Sequence, residues 1–260
     1  MTEAALITGA AKRLGRAMAL RLAARGADVV IHYSGSADAA EDTAAEARAL
    51  GVKAVTLQAD LLDHDAVMGL VPAAAAALDG PLTVLINNAS IFEPDSIADA
   101  TIDSWNRHVG SNLRAPLFLL QAFAAQCPTG ARDGNGEPIA RGVVVNMLDQ
   151  RVRKLTPHFT TYTIAKMGLW ALTRTAAQAL APDIRVNGIG PGPTMQGTRQ
   201  SKEHFDDQRA NTILRRGSDP EEICRALEFI LDNPGLTGQL LCLDGGQHLA
   251  WETPDVLGVE

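Results

Sequence analysis

Seven short apolar runs, at residues 4–8, 28–32, 54–58, 83–87, 142–146, 185–189 and 239–243, alternate with alanine-rich amphipathic stretches. This rhythm limits the fold more than any other feature of the chain. The stretches at 14–25, 37–50, 63–78, 102–127, 160–181 and 220–232 carry a helical pattern. Runs apolar on both sides must be covered on both faces, which is the condition of strands in a parallel sheet. Regular alternation with helices then predicts an α/β fold, a Rossmann-type doubly wound parallel sheet with helices on both faces. The fixed hand of crossovers leaves few ways to order it. With no internal repeat, linker or low-complexity tract, the 260 residues read as a single domain.

Two segments break the rhythm. Residues 128–141 are rich in glycine, proline and charge and read as an exposed excursion. Residues 191–217 begin with Pro191, Gly192 and Pro193 and continue as a polar, weakly helical run, the pattern of a lid over a site. The apolar tail from His248, with Trp251, is expected to tuck against a neighbouring surface.

The formal charge of −7 and the lack of a basic cluster argue against nucleic acid as a partner. No apolar run is long enough to span a membrane, and no leader pattern precedes the first strand, so the cytoplasm is the expected compartment. Cys127, Cys224 and Cys242 are odd in number and lack C-x-x-C spacing, which fits buried, inert thiols. No metal site is expected.

The first run leads into Thr8-Gly9-Ala10-Ala11-Lys12-Arg13-Leu14-Gly15 and then a helix. Glycines there let backbone approach a pyrophosphate, and the helix N-terminus adds partial positive charge. An NAD site would place a carboxylate at the end of the second strand. This chain has His32, Tyr33, Ser34, Gly35 and Ser36 instead, with no acid before Asp38. Hydroxyl donors beside Lys12 and Arg13 suit a ribose carrying a 2′-phosphate, so the expected cofactor is NADP(H). Asp60-Leu61 is placed to meet the adenine, and Asn88-Ala89-Ser90 to bring backbone near the cofactor ribose.

The ordered set Thr8-Gly9…Gly15, Asp60, Asn88-Ala89, Asn112, Tyr162-x-x-x-Lys166, Pro191-Gly192 and Leu243-Asp244-Gly245-Gly246 resembles the short-chain dehydrogenases/reductases over nearly the whole chain. The resemblance implies one dinucleotide-binding catalytic domain, a tyrosine proton donor and a small-molecule substrate in a homotetramer. It implies that Lys166 and Tyr162 hold the nicotinamide ribose, that Thr194 with Pro191 and Gly192 lines the cofactor, and that Asn112 anchors a proton-relaying water. A lysine one helical turn from a tyrosine shares its face, and its charge, with that of an oxidised nicotinamide, is expected to draw the phenol toward neutral pH.

Within the family the chain is most similar to the pteridine reductases, with their dihydromonapterin and dihydrofolate reductase relatives. Arg13 in mid-loop, His32-Tyr33, Asn87-Asn-Ala-Ser-Ile-Phe92, Asn146-Met-Leu-Asp149 and Gly190-Pro-Gly-Pro-Thr194 carry that likeness. Asp149, thirteen positions before Tyr162, stands where carbonyl-reducing members have serine. A serine hydroxyl grips a carbonyl oxygen, whereas a carboxylate accepts hydrogen bonds and shuttles protons, which suits a nitrogen-rich ring. The likeness implies that Phe92 stacks on a pterin and that Arg13 and Ser90 contact phosphate or pterin. It also implies that Asp149 and Tyr162 supply the proton.

Gly35 departs from the pattern, since better-known members carry arginine near the 2′-phosphate. Arg151 and Arg153 add positive charge beside Asp149, where they could recruit an anionic substrate tail. The expected function is NADPH-dependent reduction of a pterin. The alternatives are reduction of a ketone, sugar or 3-oxoacyl group, or NADPH binding without catalysis.

Overall fold

Valine, isoleucine and leucine fill both faces of the inner strands, and a computed structural model shows how they are covered. It describes residues 3–197 and 199–253. The sheet strands are β1 (Ala4–Ile7), β2 (Asp28–Tyr33), β3 (Ala54–Gln58), β4 (Val84–Asn87), β7 (Gly142–Met147), β8 (Ile184–Pro191) and β9 (Leu240–Leu243). They form one parallel sheet in the order β3-β2-β1-β4-β7-β8-β9. Leu6 of the central β1 lies opposite Val30 on one side and Leu85 on the other.

Six helices cover the sheet. Met18 and Leu22 of α1 (Arg13–Ala24), Ala40 and Ala44 of α2 (Ala37–Ala49), and Leu227 and Ile230 of α8 (Pro220–Asp232) fill one face. Val67 and Leu70 of α3 (His64–Ala77), Leu119 and Phe123 of α5 (Ala115–Gln126), and Ala176 of α6 (Thr160–Ala179) fill the other. Each buried valine, leucine, isoleucine, methionine or phenylalanine among them contributes about 1.5–3 kcal/mol. Helix starts follow local chemistry. Asp63 accepts from the N–H groups of Asp65 and Ala66, and Asp219 forms a reciprocal capping box with Glu222 ahead of α8.

The single helix expected over 102–127 is divided. α4 (Ile102–Val109) passes through a π-helical turn, Gly110–Arg114, into α5. Pro116 has no N–H, so the carbonyl of Asn112 lacks its ordinary α-helical donor. The excursion at 128–141 contains a short hairpin, β5 (Ala131–Arg132) against β6 (Pro138–Ile139). The expected lid contains α7 (Lys202–Ala210), whose N-cap Ser201 accepts from His204 N–H. Of the tail, residues 254–260 lie outside the described residues; Trp251 is 61% exposed, beside Ala210 and Thr212. The three thiols are free, and burial raises each to about 11. Cys224 is buried as expected, whereas Cys127 and Cys242 are only half-buried. No helix among the described residues is long and apolar enough to cross a membrane.

Winding reverses across β1, because β2 and β3 run to one edge while β4 starts the other half. At such a reversal the connections part beyond the C-terminal strand ends and leave a crevice.

Candidate active site

The glycine loop forms the floor of that crevice. Gly9 has φ +63°, in the left-handed region that favours glycine. A Cβ on Gly15 would lie 2.3 Å from the Gly9 carbonyl oxygen and 2.6 Å from Asn88 Nδ2, so no other residue fits there. The Asn88 side chain donates to the carbonyls of Thr8 and Gly9 at 2.9 and 3.1 Å, and the backbone N–H groups of Asn88 and Ala89 donate to Thr8 Oγ1. The resulting cleft, of about 520 Å³, is lined by Gly9, Lys12–Gly15, Tyr33–Ser36, Asn88–Ser90, Pro191, Gly192 and Thr194.

Several expected cofactor residues sit differently. His32 is fully buried behind the loop: its Nδ1 accepts from Gly9 N–H at 3.0 Å, and its Nε2 donates to the Ala59 carbonyl at 3.1 Å. It shapes the loop and does not face the cleft. Leu61 turns its side chain into the core. Asp60 accepts from Leu62 N–H outside the cleft lining. Arg13 lies at the cleft but donates across it, to the carbonyls of Gln196 and Met195 at 2.9 and 3.2 Å. The Thr194 hydroxyl is paired with Ser218 at 2.7 Å.

The reacting residues come together further along the same sheet edge. Tyr162 Oη donates to Asp149 Oδ2 at 3.0 Å, and Asp149 Oδ1 accepts from Arg151 N–H at 2.8 Å. Burial first, and then the Asp149 charge and hydrogen bond, hold the Tyr162 phenol well above its ordinary value near 10. Lys166 by itself does not draw the phenol down. Burial lowers Lys166 to about 8, against a partial counter-effect from Asp149. Its Nζ donates to the Met147 carbonyl at 2.7 Å and lies 5.7 Å from the Tyr162 ring centre. Asn112 spends its side chain on Ile91, accepting from the N–H at 2.9 Å and donating to the carbonyl at 2.8 Å. The side chain therefore fixes the segment leading to Phe92.

Phe92 is 42% exposed beside this pair, edge-on to Tyr162 with ring centres 4.7 Å apart. Phe159, which carries no signal in the sequence reading, stacks parallel on Phe92 at 4.3 Å. The Arg151 guanidinium lies 4.8 Å from the Phe159 ring centre. Arg153 instead faces Trp170, at 5.7 Å, which separates the two arginines grouped by sequence. Arg199 donates to the Phe92 carbonyl.

The His32 contact carries a pH dependence. Burial lowers this imidazole to about 4 from an ordinary 6.5. The unfolded chain then takes up the proton first as pH falls, so stability is full above about 6.5 and is lost toward 4, by on the order of 3 kcal/mol. Urea midpoints at pH 7 and 4.5 should differ more for the native chain than for His32→Gln. Equal differences would remove His32 as the cause.

Comparison with known proteins places this geometry. The sequence profile of the family described as Enoyl-(Acyl carrier protein) reductase matches residues 9–248. The 3-oxoacyl-[acyl-carrier-protein] reductase FabG of Staphylococcus epidermidis is 29% identical over 96% of this chain and 100% of its own length. Among solved structures, FolM Alternative dihydrofolate reductase 1 from Brucella suis, in complex with NADP, superposes with a TM-score of 0.90 at 42% identity over 98% of each chain. A short chain dehydrogenase from Burkholderia cenocepacia, also in complex with NADP, gives 0.83 at 31% over 94% of this chain and 97% of its own.

Proposed function

The chain belongs to the short-chain dehydrogenase/reductase family, and from that premise we propose that it reduces the ring of a dihydropterin or dihydrofolate. It is an NADP-dependent oxidoreductase of that family. The observation that carries the pterin reading is the 3.0 Å contact between Tyr162 and an aspartate, in place of the serine of carbonyl reducers, under the ring of Phe92. The bare approach at Gly9 and Gly15 and the acid-free end of β2 fit NADP(H). Lys12, Arg13, Leu14, Tyr33, Ser34, Ser36, Asn88, Ala89, Ser90, Pro191, Gly192 and Thr194 would hold it, and Lys166 with Tyr162 its nicotinamide ribose.

When bound, NADPH supplies a hydride. The protein's own part is proton placement and orientation. Tyr162 keeps its proton through the neutral range and so acts as an acid toward the ring nitrogen beside the reduced carbon. Asp149 aims that hydroxyl and accepts from the N–H groups of the heterocycle. Phe92 offers a face to a flat ring. The exposed apolar side chains Leu117, Ile164 and Met167 on α5 and α6 suit packing in a homotetramer.

A second reading, reduction of a 3-oxoacyl thioester, has the FabG likeness in its favour. NADPH oxidation against dihydrobiopterin, dihydromonapterin, dihydrofolate, simple ketones and a 3-oxoacyl thioester separates the two. Turnover of at least one pterin at ten or more times the kcat/KM of any carbonyl compound is expected. Robust thioester reduction with no pterin turnover would replace the first reading by the second.

A further inference from the structure

Beneath the aromatic wall lies a chain of buried hydrogen bonds that the reaction itself does not use. Asp95, His108 and Thr161 are 7%, 0% and 3% exposed. Glu93 N–H donates to His108 Nε2 at 3.1 Å, and His108 Nδ1 meets Thr161 Oγ1 at 2.6 Å. Thr161 Oγ1 in turn donates to Asp95 Oδ2, and Thr161 N–H donates to Asp95 Oδ1 at 3.2 Å. Donor chemistry fixes every proton in this run. A backbone N–H can only donate, so Nε2 carries no hydrogen, and the neutral ring must then be protonated at Nδ1. Thr161 Oγ1 accepts a hydrogen bond from that N–H and donates its own to a carboxylate.

The charge states agree with this order. Burial lowers His108, keeping it neutral. Burial works to raise Asp95, but hydrogen bonds from Thr161 and Ser104 outweigh it and hold the carboxyl below its ordinary value.

What the run connects gives it meaning. Phe92 adjoins Glu93, Tyr162 adjoins Thr161, and Phe159 N–H donates to the Asp95 carbonyl at 2.7 Å. The His108 ring also meets Tyr162 edge-on, with centres 5.9 Å apart. All three rings of the site therefore hang from one buried clasp joining the 92–95 segment, α4 and the start of α6.

We propose that Asp95, Thr161 and His108 are positioning residues, which fix the spacing of Phe92, Phe159 and Tyr162 so that a flat substrate meets the proton donor in register. This deepens the pterin reading and rests on it for the flatness of the substrate. A displacement of about 1 Å in such a site costs on the order of a hundredfold in rate.

The test compares Thr161→Val, which keeps the shape but removes both side-chain hydrogen bonds, with Thr161→Ser, which keeps the bonds. In Thr161→Val, kcat for the pterin should fall by about 30-fold with the NADPH Kd unchanged within about twofold; Thr161→Ser should stay within about threefold of the native enzyme. Nitrogen-15 spectra of the native protein should show His108 as the neutral Nδ1–H tautomer. A native kcat in Thr161→Val, an equal loss in Thr161→Ser, a parallel loss of NADPH affinity, or an Nε2–H or doubly protonated His108 would each overturn the proposal. A native enzyme that turns over no pterin would sink the substrate reading alone. The clasp would then be judged by the same variants on the acceptor it does reduce, and by the His108 spectrum.

Discussion

Tyr162→Phe should lower kcat for pterin reduction by roughly a thousandfold and leave NADPH affinity within about threefold. The substitution removes one hydroxyl and little else. The ring keeps its edge contacts with Phe92 and His108, and the side chain is buried at 5% exposure, so the site retains its shape. What disappears is the hydroxyl, whose oxygen lies 3.0 Å from Asp149 Oδ2. Burial and that carboxylate keep the phenol protonated, so the variant lacks the proton donor the site is built around. Single-turnover traces with NADPH in excess check the step directly. A loss smaller than about tenfold would take Tyr162 out of proton transfer.

Asp149→Ser should cost pterin turnover about a hundredfold, with a much smaller effect on any carbonyl compound the enzyme reduces. Serine can still accept from Arg151 N–H, the contact that Asp149 makes at 2.8 Å, so the turn before Arg151 should survive. The lost element is the second carboxylate oxygen, the one that aims Tyr162. Groups acting as a unit are not additive, so the double variant with Tyr162→Phe should be hardly slower than Tyr162→Phe alone. Unchanged pterin kcat/KM in Asp149→Ser would remove the ground for distinguishing this site from that of a carbonyl reductase. Steady-state kinetics of both variants on the same substrate panel provide the measurement.

The sheet and the glycine loop were legible because each rests on local pattern: apolar runs of strand length, and glycines at a strand-to-helix turn. The meeting of Asp149 with Tyr162 was legible only through resemblance. Side-chain direction was harder to read. β2 is buried from Val29 to His32, so it has no alternation to tell an inward residue from one facing the cleft, and His32 points inward. The phenol was hard to read because, after burial, its largest cause is the charge of a partner thirteen residues distant, not the lysine on its own helix. Phe159 and the Asp95–Thr161–His108 run were not read at all. The contacts that define them span 15 to 67 positions, and no motif announces them.

Asn88 follows the fourth sheet strand, yet its amide fastens the Thr8 and Gly9 carbonyls in the turn after the first, 80 and 79 positions earlier. The glycine turn is thus not a portable module encoded by its own glycines. During synthesis the opening segment emerges well before the residue that secures it, and its working shape must wait for half-chain docking. Contacts of such long sequence separation are entropically late. Competence to bind a nucleotide would accordingly be acquired cooperatively, near the end of folding, rather than inherited from an early N-terminal fragment.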